Sequence, residues 1–209
     1  MNRVLVALCA AGLAGFALIA VGYQRDPLAG WDREVAEWVA AQLPASVEWA
    51  GRPFSWVGGW VGLTALGVVA AVLLVRERSW LDLAFFLAAY VGSQLAVLLL
   101  KEVFERSRPD AGSAVPLPES FAFPSGHAAS GVASLGALAI LVSERLDSPR
   151  ARVRLWAAAV ALGLGIGLSR IALNVHFVTD VVAGWCVGLA WLAACLLVRD
   201  SLRRRLAPG

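Results

Sequence analysis

Apolar residues fall in six long uncharged runs, at 4–23, 57–75, 83–100, 128–143, 155–169 and 181–198. Each is near the ~20 residues that an α-helix needs to cross a bilayer, so the pattern predicts an all-α polytopic membrane protein with six transmembrane helices. The runs of 16 and 15 residues at 128–143 and 155–169 are short for a full span. Both adjoin polar clusters, and those helices are expected to end below the membrane surface around a recessed site. The first run follows Asn2-Arg3 as in a secretory leader. It exceeds a typical leader core, however, and lacks a small-residue cleavage site before Gln24, so it reads as a retained helix.

The longest polar interruption is 24–56. Within it Trp31, Val35, Trp38 and Val39 share one helical face, away from Arg33, Glu34 and Glu37, as in a helix lying in the headgroup plane. This interfacial amphipathic segment either anchors the fold or helps admit a lipid. Gly58 and Gly62, Gly163 and Gly167, and Gly184 and Gly188 form small-xxx-small pairs that predict close helix contacts.

Composition agrees with lipid as the solvent: 59% of residues are hydrophobic, 16% are charged and the mean hydropathy is +0.72. No linker or low-complexity tract divides the chain, so 1–209 reads as one membrane-embedded unit with its motif core at 101–180. Cys9, Cys186 and Cys195 lie in apolar runs without metal-type spacing and read as small buried hydrophobes. The six-span pattern places Arg3, Arg76, Arg78, Arg145, Arg150, Arg152, Arg154, Arg199 and Arg203 to Arg205 on one side, eleven of the 18 Lys and Arg. Basic residues favour the cytoplasm, which predicts cytoplasmic termini in a cell (inner) membrane. The +3 net charge is thus an orientation signal, and nucleic acid is not an expected partner.

Charged groups at membrane depth rarely occur without a role, and here they gather in three clusters. The first is Lys101, six residues, then Arg108-Pro109. The second is Pro124-Ser125-Gly126-His127, and the third is Ser169-Arg170, five residues, His176, three residues, Asp180. Alternating helix direction returns all three to one face, predicted to be extracytoplasmic. They bring together three cations, both histidines of the chain, a carboxylate and a helix N-terminus. That set suits a bound phosphate.

At these residues the sequence resembles the type 2 phosphatidic acid phosphatase superfamily, in its membrane lipid phosphate phosphatase branch. The motifs K-x6-RP, PSGH and SR-x5-H-x3-D stand unsubstituted at 101–109, 124–127 and 169–180. The resemblance implies a metal-independent, cofactor-free hydrolase that removes a terminal phosphate from a lipid through a phosphohistidine. Candidate substrates are phosphatidic acid, phosphatidylglycerol phosphate and, as an alternative, undecaprenyl diphosphate. One departure is Asp110-Ala111, where many relatives carry a second basic pair.

Physical roles follow the same assignment. Lys101, Arg108 and Arg170 supply positive charge for a phosphoryl group, and Ser125 and Gly126 offer donors at a helix start. His176 is the expected nucleophile, oriented by Asp180 one turn later, with His127 as the proton donor and acceptor. Pro109, Pro124 and Ser169 are supporting residues; Ser169 either orients Arg170 or caps a helix end. Arg106, Glu102 and Glu105 are expected to lie outside the site. Two histidines and no ligand-type carboxylate cluster make a poor metal cage. A transporter or channel, and a catalytically silent lipid-binding protein, are the rival classes. Polar residues that cluster at one face instead of threading mid-helix disfavour the former, and the intact His127, His176 and Asp180 disfavour the latter.

Overall fold

A computed structural model describes residues 2–206. Among these residues it is entirely helical, with α1 (Asn2–Gly22), α2 (Leu28–Gln42), α3 (Ala45–Gly58), α4 (Trp60–Arg76), α5 (Trp80–Phe104), α6 (Gly126–Ser143), α7 (Pro149–Ala172) and α8 (Val178–Leu206). Helices α1, α5, α6, α7 and α8 are each long and apolar enough to cross a membrane, and α3 and α4, bent by 44° at their junction, are together apolar enough to be a sixth, broken span or a re-entrant pair. The polytopic all-α architecture is as the apolar runs predict. The run at 57–75, however, begins in α3 and is broken at Gly58-Gly59. The run at 155–169 extends into a 24-residue helix because Arg150, Arg152 and Arg154 continue its first turns, their long side chains able to reach headgroups. Helix α6 stays short at 18 residues.

Helix α6 is the centre of the bundle, with α5, α7 and α8 packed around it. Eleven of its 18 residues are buried, and these are Ala, Ser and Gly apart from Leu135 and Leu141. Small side chains let neighbouring backbones approach closely, which is the main source of helix association where lipid replaces water. Helix α1 lies along α8, α3 lies against α7 and α4 against α5. The exposed leucines and valines of the outer helices, such as Leu18, Val68 and Leu99, face the lipid.

The glycine pairs behave unequally. A Cβ on Gly184 would lie 2.5 Å from the Ser125 carbonyl oxygen and 2.9 Å from Ala128 Cβ, so α8 touches the start of α6 there. Gly188 likewise meets Ala129 and Val132, Gly167 meets the Trp185 ring, and Gly58 meets Ile166. Gly163 has nothing within 4 Å, and Gly62 meets only the end of α3 at the bend. The close contact expected at Gly163 is absent because it faces open space, whereas at Gly62 the close neighbour is the end of α3 across the helix break.

The interfacial segment forms two helices instead of one. In α2 the exposed face carries Trp31 and Trp38, whereas Val39 turns inward with Asp32 and Ala36. Trp49, Trp56 and Trp60 continue the exposed aromatic belt along α3 and the start of α4.

Opposite the motif clusters, several arginines counted for orientation are paired. Arg199, 1% exposed, donates from Nη2 to Asp82 Oδ1 at 2.6 Å and from Nη1 to Glu144 Oε1 at 2.8 Å. Arg203 reaches the same two carboxylates, and Arg145 binds Glu77 at 2.7 Å. The cluster ties the start of α5 to the ends of α6 and α8.

Gly184→Ala should lower the thermal unfolding midpoint of the detergent-purified protein, since Ser125 and Ala128 are backbone or helix-fixed neighbours. Gly163→Ala should hold or raise it, because Ala is favoured over Gly in a helix interior by about 0.5–1 kcal/mol. Equal effects would mean that α6–α8 contact does not govern stability.

Candidate active site

The end of α5, the start of α6, the end of α7 and the start of α8 converge on a cavity of about 340 Å³. Lys101, Arg108, Gly126, His127, Arg170 and His176 all line it. The three sequence clusters therefore do meet. The loop 105–125 returns over them, held by the bond from Ala122 N to Arg106 O at 2.7 Å.

His176 sits in the turn between α7 and α8 and is 3% exposed. Its Nδ1 lies 3.3 Å from Asp180 Oδ2, which also accepts the Phe177 amide at 2.9 Å. Its Nε2 lies 3.1 Å from Arg108 Nη1. A guanidinium only donates, so Nε2 must carry the lone pair and Nδ1 the proton donated to Asp180. This is the tautomer a nucleophilic imidazole needs. Burial, and then the cations Arg108, Arg170 and Lys101, hold the His176 pKa well below the ordinary 6.5.

Arg108 is pinned by donation to Val175 O at 2.7 Å and Ser120 O at 3.0 Å. Lys101 donates to the Phe121 carbonyl, and Arg170 donates to the Ser55 hydroxyl on α3. Arg170 Nε, though buried, has no partner among the described residues. His127 faces the break between α3 and α4. A Cβ on Gly59 would stand 3.4 Å from its Nε2, so glycine there leaves the ring room.

Other assignments change. Ser125 is fully buried behind the cavity, and its amide donates to the Asp180 carbonyl at 2.9 Å, so that donor is not available to an anion. Its Oγ has no partner among the described residues. Ser169 neither orients Arg170 nor caps α7; its hydroxyl donates to Ile166 O at 2.7 Å within the helix. Pro109 and Pro124 are buried in the framework of the loop. Glu102 and Glu105 are exposed, as expected.

Arg106 lies outside the cavity, as expected, but it is not a free surface charge: it is bonded from Nη1 to Asp180 Oδ1 at 2.6 Å and from Nη2 to Asp32 Oδ2 at 2.7 Å. Asp32, Ser55 and Thr179 were not singled out from the sequence. A usable signal existed for Asp32: on an amphipathic helix it falls on the same side as Val39 and Ala36, so a carboxylate was being turned inward.

The described residues thus form a polytopic helical bundle with a cavity at one end that Lys101, Arg108 and Arg170 line. Residues 82–204 match the PAP2 superfamily, and the chain belongs to it. Phosphatidylglycerophosphatase B of Bacillus subtilis is 30% identical over 128 residues, covering 61% of this chain and 62% of that protein. Lipid A 1-phosphatase of Rhizobium johnstonii is 34% identical over 196 residues, covering 81% and 75%. Decaprenylphosphoryl-5-phosphoribose phosphatase of Mycolicibacterium smegmatis is 36% identical over 129 residues, covering 60% and 62%. The chain thus matches less than two thirds of the length of the Bacillus and Mycolicibacterium proteins. In fold it resembles the crystal structure of a transmembrane PAP2-type phosphatidylglycerolphosphate phosphatase from Bacillus subtilis, with a TM-score of 0.84, 22% identity and coverage of 95% and 97%.

With only two histidines in the chain, nitrogen NMR of histidine-labelled protein can read each ring. His176 should show a neutral, Nδ1-protonated ring with no titration as pH falls through 6.5. The unfolded chain takes up that proton and the folded protein does not, so stability should fall as pH drops below 6.5. A His176 ring that titrates at 6.5, or is protonated on Nε2 when neutral, would contradict the geometry.

Proposed function

We propose that this protein is an integral membrane phosphatase that removes a terminal phosphate from a lipid through a phosphohistidine at His176. The observation that carries the reading is the His176 ring: its Nε2 lone pair, which accepts from Arg108 Nη1, lies at a cavity lined by Lys101, Arg108 and Arg170, where a phosphoryl group held by Arg108 would meet it. Nε2 attacks phosphorus, the P–O ester bond breaks, and His127 gives the departing oxygen a proton. His127 then takes a proton from water as the water attacks the phosphohistidine, releasing inorganic phosphate and restoring both rings. Asp180 stabilises the positive charge that His176 acquires in between. The cations and the Gly126 and His127 amides at the start of α6 hold the oxygens of the phosphoryl group.

A lipid substrate is supported by the shape of the cavity. Trp60 and Leu63 of α4 and Val97 and Leu98 of α5 form its apolar wall, and Trp60 and Leu98 are 75% and 54% exposed on the outside of the bundle. A headgroup can therefore reach the cations while its chains stay in the bilayer between α4 and α5. The relatives' names each contain a phosphate on a lipid carrier, which supports the same class. Phosphatidylglycerol phosphate and phosphatidic acid are the proposed substrates, and undecaprenyl diphosphate is the alternative. The whole chain acts as one unit, with termini in the cytoplasm and the cavity on the extracytoplasmic side of the inner membrane, a reading supported by the basic-residue asymmetry.

Rapid quench with phosphorus-labelled lipid, chelator present, tests the chemistry. His176→Ala should abolish both turnover and acid-labile phosphoenzyme. His127→Ala should retain phosphoenzyme formation with an aryl phosphate, whose leaving group needs little protonation, and then hydrolyse it slowly. Labelled phosphohistidine in His176→Ala, or turnover lost on chelation, would overturn the mechanism.

Orientation has its own test in a cysteine-free background. Cysteines at Glu119 and Asp147, both exposed and at opposite ends of the bundle, should react with an impermeant reagent in intact cells at Glu119 alone. The reverse pattern would invert the topology.

A further inference from the structure

Asp180 has two carboxylate oxygens and only one serves His176. Oδ1 takes the Arg106 guanidinium at 2.6 Å, and the other arm of that guanidinium holds Asp32 Oδ2 at 2.7 Å. The chain of contacts His176, Asp180, Arg106, Asp32 is almost wholly inside the protein. Asp32 and Asp180 side chains are 0% exposed and Arg106 is 10% exposed. The Arg106 guanidinium carbon stands over two rings, 4.6 Å from the centroid of Tyr23 and 4.2 Å from that of Phe177. Thr179 closes the network: its amide donates to Asp32 Oδ1 at 3.2 Å, its hydroxyl bonds Asp32, and its Oγ1 receives Arg106 Nη1 at 2.7 Å.

We propose that Arg106, oriented by Asp32 of α2, is a positioning residue for the reaction, fixing Asp180 so that Oδ2 stays on His176 Nδ1. The inference rests on the phosphohistidine reading above. Its physical basis is that Oδ2, 2.9 Å from the Phe177 amide and 3.3 Å from His176 Nδ1, leaves the carboxylate plane free to turn about the amide contact until the second oxygen is locked by a charge-assisted bond at 2.6 Å. Asp32 has a distinct task. The guanidinium has two arms, and a carboxylate on the far arm, together with the packing of Tyr23 and Phe177 against it, restricts how Arg106 can turn. The interfacial helix α2 is in this way wired to the nucleophile without touching the cavity.

A merely structural ion pair makes a different prediction, so charge-balanced variants separate the two. Arg106→Met should slow single-turnover phosphohistidine formation by about 10- to 100-fold, the scale on which lost outer-shell partners of functional histidines are felt. KM should change by less than about twofold, since Arg106 does not line the cavity. Asp32→Asn should give a smaller loss, because Arg106 keeps Asp180 and Thr179. The double variant Asp32→Asn/Arg106→Met removes both charges, relieving the unpaired carboxylate that would endanger folding. It should raise the unfolding midpoint above that of Arg106→Met, because only Asp180 is then left without the cation, and stay as slow as Arg106→Met. In an Asp180→Asn background, Arg106→Met should slow the reaction no further.

Recovery of the wild-type rate in the double variant would mean that Arg106 only neutralises Asp32, and that result overturns the proposal. Additive losses with Asp180→Asn would overturn it equally. A wild-type protein that forms no phosphohistidine brings down the phosphatase reading and this inference together. A wild type that forms it beside an Arg106→Met variant of normal rate brings down this inference alone.

Discussion

Asp180 is a carboxylate with no exposed surface, and a buried ion must be compensated on every side or it shifts the balance of the fold. The compensation is what assembles the site. Its Oδ2 takes the Phe177 amide and His176, and its Oδ1 takes Arg106. Its backbone carbonyl takes the Ser125 amide at the start of α6. One residue at the start of α8 thereby bonds the turn after α7, the loop after α5, the first residues of α6 and, through Arg106, helix α2. The three motif clusters are held together by bonds to this one residue, through its carboxylate and its backbone carbonyl. The cavity lies on the side of His176 away from it.

The rest of the bundle serves to bring those helix ends within reach. Small residues on α6 and Gly184 on α8 let backbones touch, so that Ser125 and Asp180 can bond directly. Had α6 been built of Leu and Val, the helices would stand farther apart and the carbonyl of Asp180 would lose its donor. The far end is stapled by a second buried set, in which Arg199 and Arg203 share Asp82 and Glu144. Charge is concentrated at the two ends and the intervening length is apolar, as a bilayer requires.

Much of this was legible in the amino-acid sequence because lipid imposes a coarse grammar. Uncharged runs announced the spans, and residues such as Lys101, Arg108, His127, Arg170 and His176 stood out as polar groups at membrane boundaries. What could not be read was whatever depends on side-chain direction across the loops. Ser125 belongs to a phosphate-type motif, yet its amide is claimed by Asp180. Ser169 spends its hydroxyl on its own helix. Arg106 has the same charge as Arg108 two residues on and no distinguishing neighbour, because the partner that gives it meaning, Asp32, lies 74 residues earlier.

That distance in sequence also bears on what α2 is for. Tryptophans on one face and acids on another read as a passive anchor at the headgroup level, and the exposed Trp31 and Trp38 agree with it. The opposite face carries a carboxylate whose burial makes sense only against a cation brought by another element. If α2 shifts in the interface, Asp32 shifts with it, and the guanidinium must follow or lose a bond. The exposed Trp31 and Trp38 and the carboxylate that holds Arg106 lie on opposite faces of one helix. An anchoring helix and a catalytic support need not be alternatives: the same 15 residues turn one face outward with Trp31 and Trp38 and the other to Asp180's partner.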